Sequence, residues 1–151
     1  VTQTVSLRAV DADASDSLDY VERLLARNDL PTADVRANPG YFFVAFEGEQ
    51  KVGVGGIERF PPDGLLRSVV VEESMRGRGA GAALCDRLEH EAASDGVDTL
   101  YLLTTTAADF FAARGYERVD RADAPASIRG TSQFESLCPD TATVMRKRLS
   151  P

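Results

Sequence analysis

Apolar residues recur along this chain in two rhythms, and the switches between them mark its elements. Leu18, Val21, Leu24 and Leu25 fall three and four apart, which is one face of a helix. Ser15 or Asp16 can cap it, and it runs to Asn28 before Pro31 stops it. Residues 5–8 ahead of it read as a short strand, and 31–40 behind it as a Pro/Asn/Gly connector. The runs 41–47 and 51–60 are rich in β-branched and aromatic residues and are joined by Gly48-Glu49-Gln50, a hairpin. Pro61-Pro62-Asp63-Gly64 then turns the chain into another strand, 65–71. Helical spacing returns over 80–93 and closes at Asp95-Gly96. A buried strand over 99–103 follows, then a short helix over 107–114 that ends at Gly115, and a strand near 116–119. Residues 122–139 are irregular with a short helix, and 142–149 form a last strand. Hairpins first and strand–helix alternation afterwards predict a mixed α/β sheet in one domain spanning 1–151.

Composition narrows the setting. The chain of 151 residues is long enough for a core of its own, and no apolar run approaches the ~20 residues of a membrane span. Val1-Thr2-Gln3-Thr4-Val5 carries neither basic residues nor an apolar run, so it does not read as a secretory leader. Two cysteines, Cys85 and Cys138, and one histidine, His90, form neither a disulfide framework nor a metal constellation, and an intracellular, reduced, cytoplasmic protein is expected. The net charge is −7, and only two of the seventeen basic residues, Lys51 and Lys147, are lysine. Such Asp-rich, Lys-poor surfaces keep hydration in concentrated salt and fit a halophile; a GC-rich genome gives the same bias. An acidic surface argues against nucleic-acid binding.

The densest chemical signal is Arg76-Gly77-Arg78-Gly79-Ala80-Gly81, between the strand at 65–71 and the helix at 80–93. Unpaired amides and the dipole at a helix start favour an anion, glycines allow close approach, and arginines add charge. A nucleotide P-loop would need Lys-Ser or Lys-Thr after the last glycine, where Ala82-Ala83 stand. A dinucleotide fingerprint would follow its strand at once, whereas Glu72-Glu73-Ser74-Met75 intervene here. A tight turn before a glycine-packed helix is the plain structural reading.

These residues resemble the Gln/Arg-x-x-Gly-x-Gly/Ala loop of the GNAT N-acetyltransferases. The strand Leu66-Arg67-Ser68-Val69-Val70-Val71-Glu72 and the helix from Ala107 through Phe110-Phe111 to Gly115-Tyr116 are similar to that family in order and spacing. The resemblance implies a central twisted sheet flanked by helices, with two middle strands, 65–71 and 99–104, splayed apart. Acetyl-CoA would be the co-substrate. Its pantetheine arm would lie along the backbone of Val69, Val70 and Val71, and its pyrophosphate on Arg76, Gly77, Arg78, Gly79, Ala80 and Gly81. A backbone N–H at Val69 would meet the oxyanion. Phe111 stands where many members carry a tyrosine acid, and Thr104 where many carry an asparagine for the arm. Tyr116 packs rather than replaces that tyrosine.

Acetyl transfer needs a neutral amine, and a free amine of pKa about 10 must lose a proton first. The family's usual glutamate position aligns with Leu65, so Glu58 on the neighbouring strand is the candidate base; a solvated face is its competing role. Arg67 shares a face with Leu65 by alternation and would clamp an anionic acceptor, or else form a salt bridge at the strand's edge. Thr105 and Thr106 bond the arm or substrate, or cap the next helix. Arg129, Ser127 and Thr131 lie where substrate would be covered. Cys85 reads as core, His90 as solvated, and Cys138 as a loop thiol or an arsenic ligand. A narrower resemblance joins residues 64–71, 101–107, Ala124-Pro125-Ala126-Ser127-Ile128 and Ser136-Leu137-Cys138-Pro139 to GNAT proteins of arsenic resistance. They are related to enzymes that acetylate phosphinothricin- or arsinothricin-like amino acids. The implied activity is acetyl transfer to the primary amine of a small molecule. A non-catalytic acyl-CoA or arsenical sensor and a peptide N-acetyltransferase are the alternatives. No metal, nucleic acid or membrane is expected, and the last strand, 142–149, would pair two copies into a homodimer.

Overall fold

The computed structural model describes residues 5–10, 13, 15–30, 32, 35–77, 79–131, 134 and 142–149. Its strands are β1 (Ser6–Ala9), β2 (Phe42–Glu47), β3 (Gln50–Phe60), β4 (Asp63–Val71), β5 (Thr99–Thr104), β6 (Glu117–Val119) and β7 (Thr143–Arg148). Its helices are α1 (Ser15–Arg27), α2 (Ala80–Ser94), α3 (Ala108–Ala113) and α4 (Ala126–Arg129). Single 3-10 turns occupy Pro39–Tyr41, Glu73–Met75 and Arg121–Asp123. The strands form one seven-stranded sheet in the order β1-β2-β3-β4-β5-β7-β6. β4 and β5 run parallel, whereas the β1–β2, β2–β3, β5–β7 and β6–β7 pairs are antiparallel. This is the mixed α/β sheet that the hydrophobic rhythm predicts.

Contacts divide the chain into two compact units, residues 1–57 with 68–88, and residues 58–67 with 89–151. In the first unit α1 buries Leu18, Tyr20, Val21, Leu24 and Leu25 against Phe42, Val44, Phe46, Val54 and Val70. Each fully buried side chain of this kind contributes about 1.5–3 kcal/mol. Ser15 and Asp16 are first-turn residues of α1 rather than residues ahead of it, and Asp16 suits the positive end of the dipole. The hairpin between β2 and β3 turns on Gly48, whose φ of +64° is open to glycine at little cost.

In the second unit Leu65, Tyr101, Ala124, Ile128, Phe134 and Val144 make a separate apolar cluster. Gly96 closes α2 with φ +87°, its amide donating to the Ala93 carbonyl and that of Val97 to the Ala92 carbonyl. β7 pairs with β5 along its whole length, and on its other side β6 covers Val144–Arg146, so it is an interior strand over that stretch rather than an edge. The charge pattern of 142–149 carried no sign of which neighbours it would find.

Candidate functional site

The first unit holds the end of β4, the glycine loop and the start of α2. Glu72 N–H donates to the Val52 carbonyl at 2.8 Å, and a Cβ placed on Gly53 would collide with the Val70 carbonyl oxygen. The backbone groups of Val70 and Glu72 therefore face β3. By strand alternation those of Val69 and Val71 face the opposite way. Pairing of β4 with β5 is confined to Asp63, Gly64 and Leu65, so no ladder occupies that opposite side at Val69 and Val71 among the described residues. Within the part of β4 that lies beyond this pairing, Ser68 sits at φ +58°, a left-handed conformation inside a strand that the sequence does not show.

Beyond β4 the 3-10 turn Glu73–Met75 buries Met75 and delivers the loop. Gly77 and Gly79 take φ of +78° and +81°, and a Cβ at either would meet nothing within 4 Å. The loop backbone thus borders open space, in a conformation that favours glycine. Ala83 N–H donates to the Gly79 carbonyl at 3.1 Å, so the amides of Ala80, Gly81 and Ala82 precede the first helical donor. The first turn of α2 carries no acidic residue to neutralise its dipole. The arrangement accepts an anion on backbone N–H groups. Arg78 lies outside the described residues. Arg76 is exposed, but its guanidinium is turned onto the protein: Nη2 donates to Asn28 Oδ1 at 2.7 Å and Nε to the Val71 carbonyl at 3.1 Å.

The second unit holds Glu58 and Arg67. Arg67 Nη1 donates to Glu58 Oε2 at 2.9 Å, and both residues are buried, at 4% and 5% exposure. This corrects both competing roles, since Glu58 is not on a solvated face and the salt bridge is not at an edge. Two opposite charges on adjacent strands were the available sequence signal.

Thr104 Oγ1 accepts the Ala107 N–H at 2.9 Å and so shapes the entry to α3. Ala107 itself stands at the N-cap position of α3 and its side chain makes no capping bond, so neither Thr105 nor Thr106 is the cap. Thr105 is exposed. Phe111 is buried, with its ring edge-on to Phe110 at 5.1 Å and to Tyr116 at 5.5 Å. Tyr116 packs as expected and also donates its hydroxyl to Glu89 Oε2 at 3.1 Å, while Lys147 holds Glu89 Oε1 at 2.8 Å. That network passed unseen because its members are distant in sequence.

Arg129 Nε donates to the Ala124 carbonyl at 2.9 Å, and Thr131 is buried with its hydroxyl on the Ile128 carbonyl at 2.7 Å. Thr131 is thus a turn-forming residue, not one offered to a ligand. Cys85 is fully buried and His90 exposed. Cys138, Ser136 and Pro139 lie outside the described residues. Among the described residues no group of three His, Cys, Asp or Glu side chains could hold a metal, and no helix is long and apolar enough to cross a membrane.

Comparisons with solved structures agree on the fold. N-acetylglutamate synthase from Neisseria gonorrhoeae, solved with coenzyme A and N-acetyl-glutamate, superposes with a TM-score of 0.81 at 16% identity. It covers 100% of this chain, which spans only 36% of the synthase. Rv2747 from Mycobacterium tuberculosis, solved with CoA, gives 0.77 at 20% identity over 96% of this chain and 99% of its own. Tetrahymena GCN5 gives 0.75 at 14% identity over 98% and 97%. The profile of the Acetyltransferase (GNAT) family matches residues 7–120, well over half of the sequence. The chain belongs to the GNAT acetyltransferase family.

Proposed function

We propose that this protein is an acetyl-CoA-dependent N-acetyltransferase acting on the primary amine of a small molecule. The acceptor class we favour is an anionic amino acid, including arsenical and phosphinothricin-like compounds. The observation that carries the donor half is the run from Val69 to Gly81. Outward backbone groups at Val69 and the N–H of Val71, whose carbonyl takes Arg76, suit an amide-rich arm, and the open loop before α2 suits a diphosphate. Val70 and Ala80, buried beside these groups, keep the strand and helix start in place. That several structural relatives were solved with coenzyme A supports the same reading.

In this account the neutral amine attacks the thioester carbonyl, the Val69 N–H takes the developing oxyanion, and the thiolate departs. Glu58 is the proposed base for the amine's proton. Arg67, whose planar guanidinium holds Glu58 at 2.9 Å, is the proposed clamp for the acceptor's anion. Arg67, Thr105 and Arg129 are thus the proposed acceptor contacts, with Thr104 and Phe111 lining the donor's thiol end. Phe111 carries no proton to give, so water protonates the thiolate.

Thiol release from acetyl-CoA across a panel of amines tests this reading. Anionic amino acids, phosphinothricin-like ones among them, should give the highest kcat/KM, and Arg67→Met should remove that preference. One observation favours a second reading, an acyl-CoA sensor without turnover. Phe111 supplies no acid, and Glu58 is held by Arg67. Saturable CoA binding with no thiol release from any small amine or Lys-rich peptide would select the sensor. Release with the peptides alone would select a peptide acetyltransferase.

A further inference from the structure

We propose that Arg76 is a latch that positions the donor loop, and that its side chain is not a ligand of the diphosphate. This rests on the donor-site reading above and adds to it a role for Asn28 at the end of α1. Leu30 N–H donates to the Leu25 carbonyl, and Asp29 takes a left-handed φ of +58°. That is a closed helix end in which the chain has little freedom. Asn28 sits in this turn with both ends of its side-chain amide in use. Nδ2 donates to the Leu24 carbonyl at 2.9 Å, which orients Oδ1 towards Arg76.

Arg76 then spends its fork on the protein. One donor goes to Asn28 and Nε to the Val71 carbonyl, so a single planar group joins the end of α1, the end of β4 and the first residue of the loop. A positive charge is also favoured at the C-terminal end of α1. The residue before the turn is held in the same way. Glu72 accepts the Tyr20 hydroxyl at 2.8 Å and lies 3.9 Å from Arg27, two more residues of α1. Between these fixings the 3-10 turn closes, with the Met75 N–H on the Glu72 carbonyl. The loop's entry is therefore set by α1, and the Arg76 guanidinium is committed to that entry rather than to an anion.

A ligand and a latch respond differently to substitution. Lysine keeps the charge and binds phosphate well, but it cannot bridge two acceptors with a planar fork. The test is CoA titration calorimetry on the full chain for wild type, Arg76→Lys, Asn28→Ala and the double variant. Melting temperatures serve as the control for folding. The latch predicts a Kd about three- to tenfold higher for each single variant, the worth of one or two hydrogen bonds. The double variant should lose no more than the weaker single, because the two residues act as one. In turnover the KM for acetyl-CoA should rise by the same factor with kcat kept. Wild-type affinity in Arg76→Lys or in Asn28→Ala overturns the latch alone. A wild-type protein that binds no CoA overturns the donor site and the latch with it.

Discussion

Two residues decide how much of the chemistry can be trusted to β3 and β4. Glu58 and Arg67 form a buried ion pair, and removing one partner strands the other's charge. Arg67→Met or Glu58→Leu alone should therefore cost about 3–5 kcal/mol in chemical denaturation. The double variant should recover most of that loss while abolishing turnover, which separates the pair's structural part from its catalytic one. Ser68 is the second case. Its left-handed backbone is strained for any residue but glycine. Ser68→Gly should hold or raise stability, and Ser68→Val should lower it by about 1–2 kcal/mol, measured by the same denaturation. The loop's glycines were legible from sequence because glycine announces its freedom. Ser68 was not, because nothing in Leu66-Arg67-Ser68-Val69 distinguishes a distorted strand from a regular one.

At the scale of elements, periodicity was a good guide wherever a face is buried. The α1 stripe, the hairpin and the α2 helix appear within a residue or two of their expected bounds. What periodicity could not supply was partnership. It gave the last strand without its neighbours, β5 and β6, and it offered Thr105 and Thr106 as caps, whereas Thr104 makes the bond. Close approach between elements is equally invisible and gives a contrast that can be measured. A Cβ on Gly53 would strike the backbone oxygen of Val70, while one on Gly55 would strike the Leu88 side chain at 2.5 Å. Backbone cannot yield as a leucine rotamer can. Gly53→Ala should therefore weaken CoA binding and lower the melting temperature more than Gly55→Ala, which costs stability and leaves CoA affinity near wild type.

At the scale of the whole chain, charge and pH make the account testable without any ligand. Burial first, and then the Glu72 carboxylate that accepts its hydroxyl, push the Tyr20 phenol well above its ordinary value. A raised phenol contributes stability that is complete below pH 10, the ordinary value, and is lost as pH climbs beyond it. Tyr20→Phe should flatten that alkaline loss in pH-dependent denaturation. Asp63 is raised too, by burial and then by Asp98, so its ionised form is disfavoured in the folded state. Its contribution is present below the ordinary value of 3.8 and lost above it, and Asp63→Asn should stabilise the protein at neutral pH but not in acid. The net charge of −7 with two lysines gives a further expectation. We read it as adaptation to concentrated salt, and melting temperature should climb with molar KCl as self-repulsion is screened.

The central claim is that the loop from Gly77 to Gly81 and the start of α2 hold the diphosphate of CoA. Calorimetric titration of CoA into wild type and Gly79→Trp tests it most directly, because Gly79 borders open space at φ +81° and contributes no core contact. The account predicts saturable one-site binding that falls about a hundredfold in Gly79→Trp, the loss of several amide contacts, with the far-ultraviolet spectrum unchanged. Equal affinity in the two proteins, or no binding in wild type, would contradict it.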